Sequence, residues 1–218
     1  MVAVTVDSSL DRRGKTITTF VIFDAAAALD QIRDGERLEI LTDQFAPFEP
    51  DFHAWCDAMG HRLILSEVTP EGHRFVVEKG PGKKTDRKLA MVISDPGLFE
   101  LLSPLAFALA AALEGVEVHL YFQGPAVKVL SKRFRPRAHG WVRPFTRFAA
   151  SGLNKTGHIP AQAKLRQLRS LGARFYLCGG SIEHYKLDPQ DVIFADVPVV
   201  EYMTFMSVMR DADISLYV

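Results

Sequence analysis

Acidic residues are missing where they would be easiest to find. Between Val118 and Ile182 there is no Asp or Glu, while twelve Lys or Arg appear. Cysteine is also scarce, with only Cys56 and Cys178 in 218 residues. Two cysteines cannot build a disulfide framework, and no Cys/His cluster has zinc-ligand spacing, so no structural metal is expected. Long apolar runs are absent too. The longest, Leu98–Leu113, is broken by Glu100 and Pro104 and falls short of the roughly 20 residues that a bilayer crossing needs. Met1–Asp7 alternates polar and apolar residues with no basic run before an apolar core, so no signal peptide is expected and the cytoplasm is the expected compartment. Formal net charge is zero, with 48% apolar and 24% charged residues, the composition of an ordinary globular chain. The balance hides blocks: after the basic stretch, Glu183–Val218 carries seven acids against two bases. Charge blocks of this kind bear on partners.

What is present reads as two domains, residues 1–80 and 89–218, joined by a linker at 81–88. KGPGKKTDRK, Lys79–Lys88, runs Gly, Pro and charge together with no apolar anchor. Before it the chain reads as a βαβαββ unit. An Ala-rich helix covers Val21–Ile32, strand Arg37–Thr42 alternates, and helix Pro50–Met59 ends at Gly60. Strands His61–Val68 and Arg74–Glu78 then flank the turn Thr69–Gly72. After the linker, strands alternate with helices, which predicts a parallel sheet. The strands are Leu89–Ile93, Val116–Phe122, Ala173–Leu177 and Ile214–Val218. SDPG (Ser94–Gly97) leads into a helix running to Glu114, and further helices cover Ala161–Leu171 and Val200–Arg210. Ser131–Pro160, rich in Arg, Pro and aromatics, reads as irregular.

Cys178 ends a strand of this sheet, where strand-end loops line the ligand crevice of α/β folds. Gly179 and Gly180 permit a tight turn, and Ser181 is a good N-cap for a helix over Ile182–Leu187. A thiol at a helix N-terminus in a basic setting is acidified and reactive; a free cysteine that merely packs is the competing reading. Cys56, mid-helix beside Trp55, reads as packing. His184 is a candidate base or donor, and Asp95, at the end of the first strand of this domain, is a candidate crevice residue or a turn cap. SDPG and CGGS match neither G-x-G-x-x-G nor a P-loop.

Phe175–Val218, FYLCGGSIEHYKLDPQDVIFADVPVVEYMTFMSVMRDADISLYV, resembles the DsrE-like sulfur-relay family over Leu89–Val218, specifically its longer subgroup that carries a peroxiredoxin label. On that resemblance Cys178 falls on the sulfur-carrying cysteine and Ser181 on the family's serine. The Met-rich helix start of the pattern is replaced by GG and EHY, and the insert is Arg-rich rather than Met-rich. Leu10–Phe23 and Asp34–Asp43 resemble a TusA-like sulfur-carrier domain. The position of that family's cysteine falls on Ile17 or Thr18, and neither side chain can hold a persulfide. The resemblances imply a two-layer α/β sandwich followed by a three-layer α/β/α domain with a parallel sheet.

The function they imply is sulfur trafficking. Cys178 would carry sulfane sulfur as a persulfide and pass it to a partner thiol, without metal or organic cofactor. Gly179, Gly180, Ser181, His184 and Asp95 would surround it, and sulfurtransferase activity is possible on this reading. The partners expected are sulfur donor and acceptor proteins and further copies of the chain in a homo-oligomer. The competing reading is a non-catalytic assembly or adaptor protein that uses the basic insert Ser131–Phe148 against acidic faces, a membrane surface or nucleic acid.

Overall fold

The computed structural model describes residues 4–15, 17–44, 48–83, 85–155 and 158–218. Three of the stretches read above, the N-terminal one, the linker and the insert, therefore lie partly outside the described residues. Two compact units emerge: Met1–Thr85 with Leu113–Gly115 and Lys155–His158, and Asp86–Ala112 with Val116–Asn154 and Ile159–Val218.

The first unit runs β1 (Ser8–Asp11), α1 (Thr18–Leu29), β2 (Arg37–Thr42), α2 (Phe48–Met59), β3 (Arg62–Thr69) and β4 (Gly72–Glu78). Its sheet has the order β1-β2-β4-β3, with β1 parallel to β2 and the other pairs antiparallel. The alternation in RLEILT has the expected cause: Leu38, Ile40 and Thr42 are buried while their neighbours are half-buried. α2 turns Phe52 and Trp55 inward, and the Phe52 ring stacks on Phe75 of β4 with centroids 4.4 Å apart. Ile17 caps α1 and Thr18 opens it.

Gly72 closes the β3–β4 turn at φ 148°, where an added Cβ would run into the Thr42 carbonyl oxygen. Gly72→Ala therefore combines a disfavoured backbone conformation with a backbone clash, and is expected to cost about 3 kcal/mol or more. A denaturant midpoint equal to that of the parent protein would show that the turn relaxes freely.

The second unit is built on five strands: β5 (Lys88–Ile93), β6 (Glu117–Phe122), β7 (Arg174–Cys178), β8 (Val199–Val200) and β9 (Ile214–Tyr217). All pair in parallel, in the order β8-β7-β6-β5-β9. β5 and β6 are buried along nearly their whole length, as strands covered on both faces must be. The helices are α3 (Leu102–Leu113), α4 (Thr146–Lys155), α5 (Ala161–Ser170), α6 (Gly179–Tyr185) and α7 (Tyr202–Arg210). Right-handed crossovers from β5 to β6 to β7 put α3 and α5 on one face. The return from β8 to β9 runs the opposite way and puts α7 on the other. The chain is thus a two-layer α/β sandwich followed by an α/β/α unit with a parallel sheet.

Several boundaries differ from the sequence reading. The helix after SDPG begins only at Leu102, since 98–101 form a turn first. Val199–Val200 form a short strand, so the helix expected from Val200 starts at Tyr202. Ser131–Pro160 is not wholly irregular: Gly140–Phe145 is 3₁₀ and Thr146–Lys155 is α-helical. No helix among the described residues is long and apolar enough to cross a membrane.

Candidate functional site

Cys178 is both the last residue of β7 and the N-cap of α6, at φ −71° and ψ 121°. The helix therefore starts three residues earlier than a Ser181 cap would require. Gly179 and Gly180 form its first turn rather than a tight turn before it, because their backbone stays in the region open to every residue. Gly179 is nevertheless confined: a Cβ there would press on the carboxylate of Glu201. That carboxylate accepts the Gly180 N–H at 2.9 Å.

Strand parity decides what faces the sulfur. Side chains on one face of β7 are Arg174, Tyr176 and Cys178, and their β6 neighbours on that face include Tyr121, registered with Tyr176. α7 covers this side, with Phe205 stacked on Tyr121 at 4.7 Å and Tyr202 edge-on to Tyr121 at 6.2 Å. β8 pairs Cys178 with Val200, whose carbonyl lies 3.5 Å from the Tyr121 hydroxyl, at the outer limit of a hydrogen bond. Ser181, buried in α6, accepts the Gly124 N–H on its Oγ at 2.8 Å. Its own proton is left for the sulfur.

These groups set the chemistry of the thiol. Burial pushes Cys178 up, but the Ser181 hydroxyl, the Tyr121 phenol, the Ser181 N–H and the Tyr202 phenol favour the thiolate, and the net shift is downward. The sulfur closes no full capping bond to the first turn, so hydroxyl groups do most of this. Tyr121 is pushed up by burial and then by the sulfur; Tyr202 is pushed up first by the sulfur's charge. Both phenols therefore keep their protons and remain donors. Cys56 shows the opposite case: burial raises its thiol to about 12.

The sulfur's residue is only 1% exposed, yet its cover carries hydroxyls and not only hydrocarbon. Tyr202, itself 57% exposed, is the outermost of them.

Other candidate residues stand apart. Asp95, in the loop after β5, accepts from Gly97 N–H and His139 Nε2, each at 2.8 Å. Burial opposes its ionisation, but the His139 and Gly97 contacts outweigh this and lower it. With Glu100 they offer three ligand atoms within 4.8 Å of one another, a set able to hold a divalent cation, although His139 already bridges the carboxylates. His184 is exposed near the end of α6, its ring 4.7 Å from that of Tyr185. A cavity of about 390 Å³ opens beside Arg174 and Tyr176, nearer the opposite end of β7. Its arginines are engaged, Arg169 with Asp196 and Arg174 with Glu117.

Tyr121, Tyr202, Gly124 and Glu201 were not singled out by sequence reasoning. Only Tyr121 left a signal: it lies one residue before the end of a strand adjoining that of Cys178.

Comparison with known proteins agrees with this architecture. Residues 87–216 match the model of the DsrE/DsrF-like family, and residues 21–79 match that of Sulfurtransferase TusA. Both are sulfur-relay families, which supports a role in sulfur trafficking. No curated protein matches. Among solved structures, the crystal structure of the ychN protein from E. coli is similar at 14% identity and a TM-score of 0.42, covering 61% of this chain and 99% of that one. With more than half of its length matched by one family model, this chain, which also carries a TusA-like domain, belongs to the DsrE/DsrF-like family.

Proposed function

We propose that the protein carries sulfane sulfur as a persulfide on Cys178 and passes it to a partner thiol. The observation that carries this reading is the acidified thiol at the β7–α6 junction, held by Ser181, Tyr121 and Tyr202. In loading, the Cys178 thiolate attacks the terminal sulfur of a donor persulfide R–S–SH. The Cys178–sulfur bond forms, the donor sulfur–sulfur bond breaks, and R–S⁻ leaves. Unloading is the same exchange, with the partner thiolate attacking the outer sulfur and Cys178 leaving as thiolate. The hydroxyl donors that hold the thiolate also stabilise it as that leaving group. Tyr202, exposed at the start of α7, is the side chain that must swing aside to admit a donor.

On this reading residues 1–80 and 89–218 are separate domains joined at 81–88, and the first, without a cysteine at Ile17 or Thr18, docks partners. Gly179 and Gly180 shape the turn beneath the sulfur. The protein works as a homo-oligomer in the cytoplasm, exchanging sulfur with thiol-bearing donor and acceptor proteins.

The 1% exposure of Cys178 favours one other reading, a non-catalytic adaptor in a sulfur-handling system. Mass spectrometry after polysulfide treatment separates the two. The carrier gains a single sulfur on Cys178, and an adaptor gains none.

A further inference from the structure

The segment after Ser131 carries an arrangement that the sulfur chemistry does not use. From Ser131 to Phe148 there are six Lys or Arg and no acid. Neither the 3₁₀ turn Gly140–Phe145 nor α4 buries a single described residue. Along these two elements three large aromatic residues, Trp141, Phe145 and Phe148, fall within eight positions. They are 86%, 55% and 79% exposed. Their neighbours in sequence are better covered: Val142, Thr146, Ala149 and Ala150 are half-buried. Arg143 and Arg147 interleave with these aromatics, are exposed, and enter no ion pair among the described residues.

We propose that Gly140–Phe148 is an interfacial anchor that lays Trp141, Phe145 and Phe148 into the headgroup region of an anionic lipid surface, with Arg143 and Arg147 on its phosphates. Two features select lipid over other anions. Three large exposed rings within eight residues offer apolar protrusions, whereas single-stranded nucleic acid is tracked by a charged groove. The rings also offer apolar area that duplex phosphates would leave in water, while an interface buries it and Trp is favoured there. The arginines supply the attraction that makes binding depend on lipid charge. A sulfur carrier so anchored would work at a membrane face, but the inference stands on residues remote in sequence from Cys178 and does not need the sulfur reading.

The test uses the full chain and vesicles of phosphatidylcholine with and without phosphatidylglycerol. Trp55 is buried at 2% exposure, so Trp141 reports alone. Its emission is expected to shift to the blue only with anionic vesicles, and sedimentation with them is expected to weaken steeply with salt. Arg143→Gln and Arg147→Gln should each lower partitioning by about fivefold. Combined Trp141→Ser, Phe145→Ser and Phe148→Ser should lower it by more than tenfold, with little change in thermal melt because all three side chains are mainly exposed.

Three results would overturn the proposal. The first is no sedimentation with anionic vesicles at low salt. The second is duplex or single-stranded DNA binding tighter than vesicle binding. The third is a Trp141 blue shift that grows with protein concentration without lipid, which would assign the rings to a second copy of the chain. Sulfur loading of Cys178, measured on the same triple variant, should be unaffected, so failure of the anchor and failure of the carrier reading are told apart.

Discussion

After polysulfide treatment the protein should gain one sulfur atom on Cys178, none on Cys56, and none anywhere in Cys178→Ser. The contrast follows from two buried thiols with opposite surroundings. Cys56 lies in α2, where burial lifts its thiol to about 12 and the thiolate is negligible at neutral pH. Cys178 is also buried, but hydroxyl donors more than offset the desolvation. Hydrogen bonds to a charged group are worth about 1.5–3 kcal/mol each. Removing one reduces the thiolate fraction by about tenfold or more, and about half of that loss on a logarithmic scale returns as greater nucleophilicity. Ser181→Ala and Tyr121→Phe should therefore each slow loading by about three- to tenfold at neutral pH.

In alkali strong enough to ionise parent and variants alike the order should reverse, because the thiolate that has lost a donor is the stronger nucleophile. The same shift feeds stability. Because the folded thiol is depressed, its contribution is complete above 9.0 and fades as pH falls through the lower folded value. Tyr202→Ala tests access separately: it removes a donor but opens the cover, so bulky alkylating reagents should gain relative to small ones. Equal loading of Cys56 and Cys178, or a persistent adduct in Cys178→Ser, sinks the carrier reading.

The second large effect is a rise in stability at alkaline pH, traced to Lys164. This side chain on α5 is 1% exposed, and its Nζ donates to the Leu102 carbonyl at 3.1 Å. Burial lowers its ammonium group from 10.5 to about 8. Below about 8 both folded and unfolded chains hold the proton, so the full cost of burying the charge is present. Between about 8 and 10.5 the folded chain releases it first, the unfolded chain binds more protons, and stability climbs with pH. Parent minus Lys164→Met should change by about 3 kcal/mol across that window in chemical denaturation. A pH-independent difference would show that Lys164 keeps an ordinary titration in the fold.

How much could be read from the chain depended on the range of the physics involved. LAMVI and VHLYF announced strands buried on both faces, because a continuous apolar run of that length has few other folded uses. The Thr69–Gly72 turn was legible for a similar local reason. Ser181, in contrast, was expected to cap a helix and instead lies inside it. A caps-by-composition rule sees the hydroxyl, but whether the preceding glycines enter the helix depends on the Val199–Val200 strand and Glu201, twenty residues on. Gly140–Phe145 and α4 escaped notice because Pro144 and Gly152 interrupt a helical pattern. His184 and Asp95 were chosen by nearness in sequence or by strand-end position, and neither is hydrogen-bonded to the groups that hold the sulfur.

Short-range signals alone reveal that two α/β units stand in one chain and that Cys178 ends a strand of a parallel sheet. Those facts follow from periodicity, residue chemistry and motif, all short-range properties. It takes the fold to bring the hydroxyls of Ser181, Tyr121 and Tyr202 to the thiol, where they favour the thiolate. Side chains distant in sequence meet the sulfur only through folding, and here parallel registry and the return of α7 across the sheet bring those hydroxyls to it.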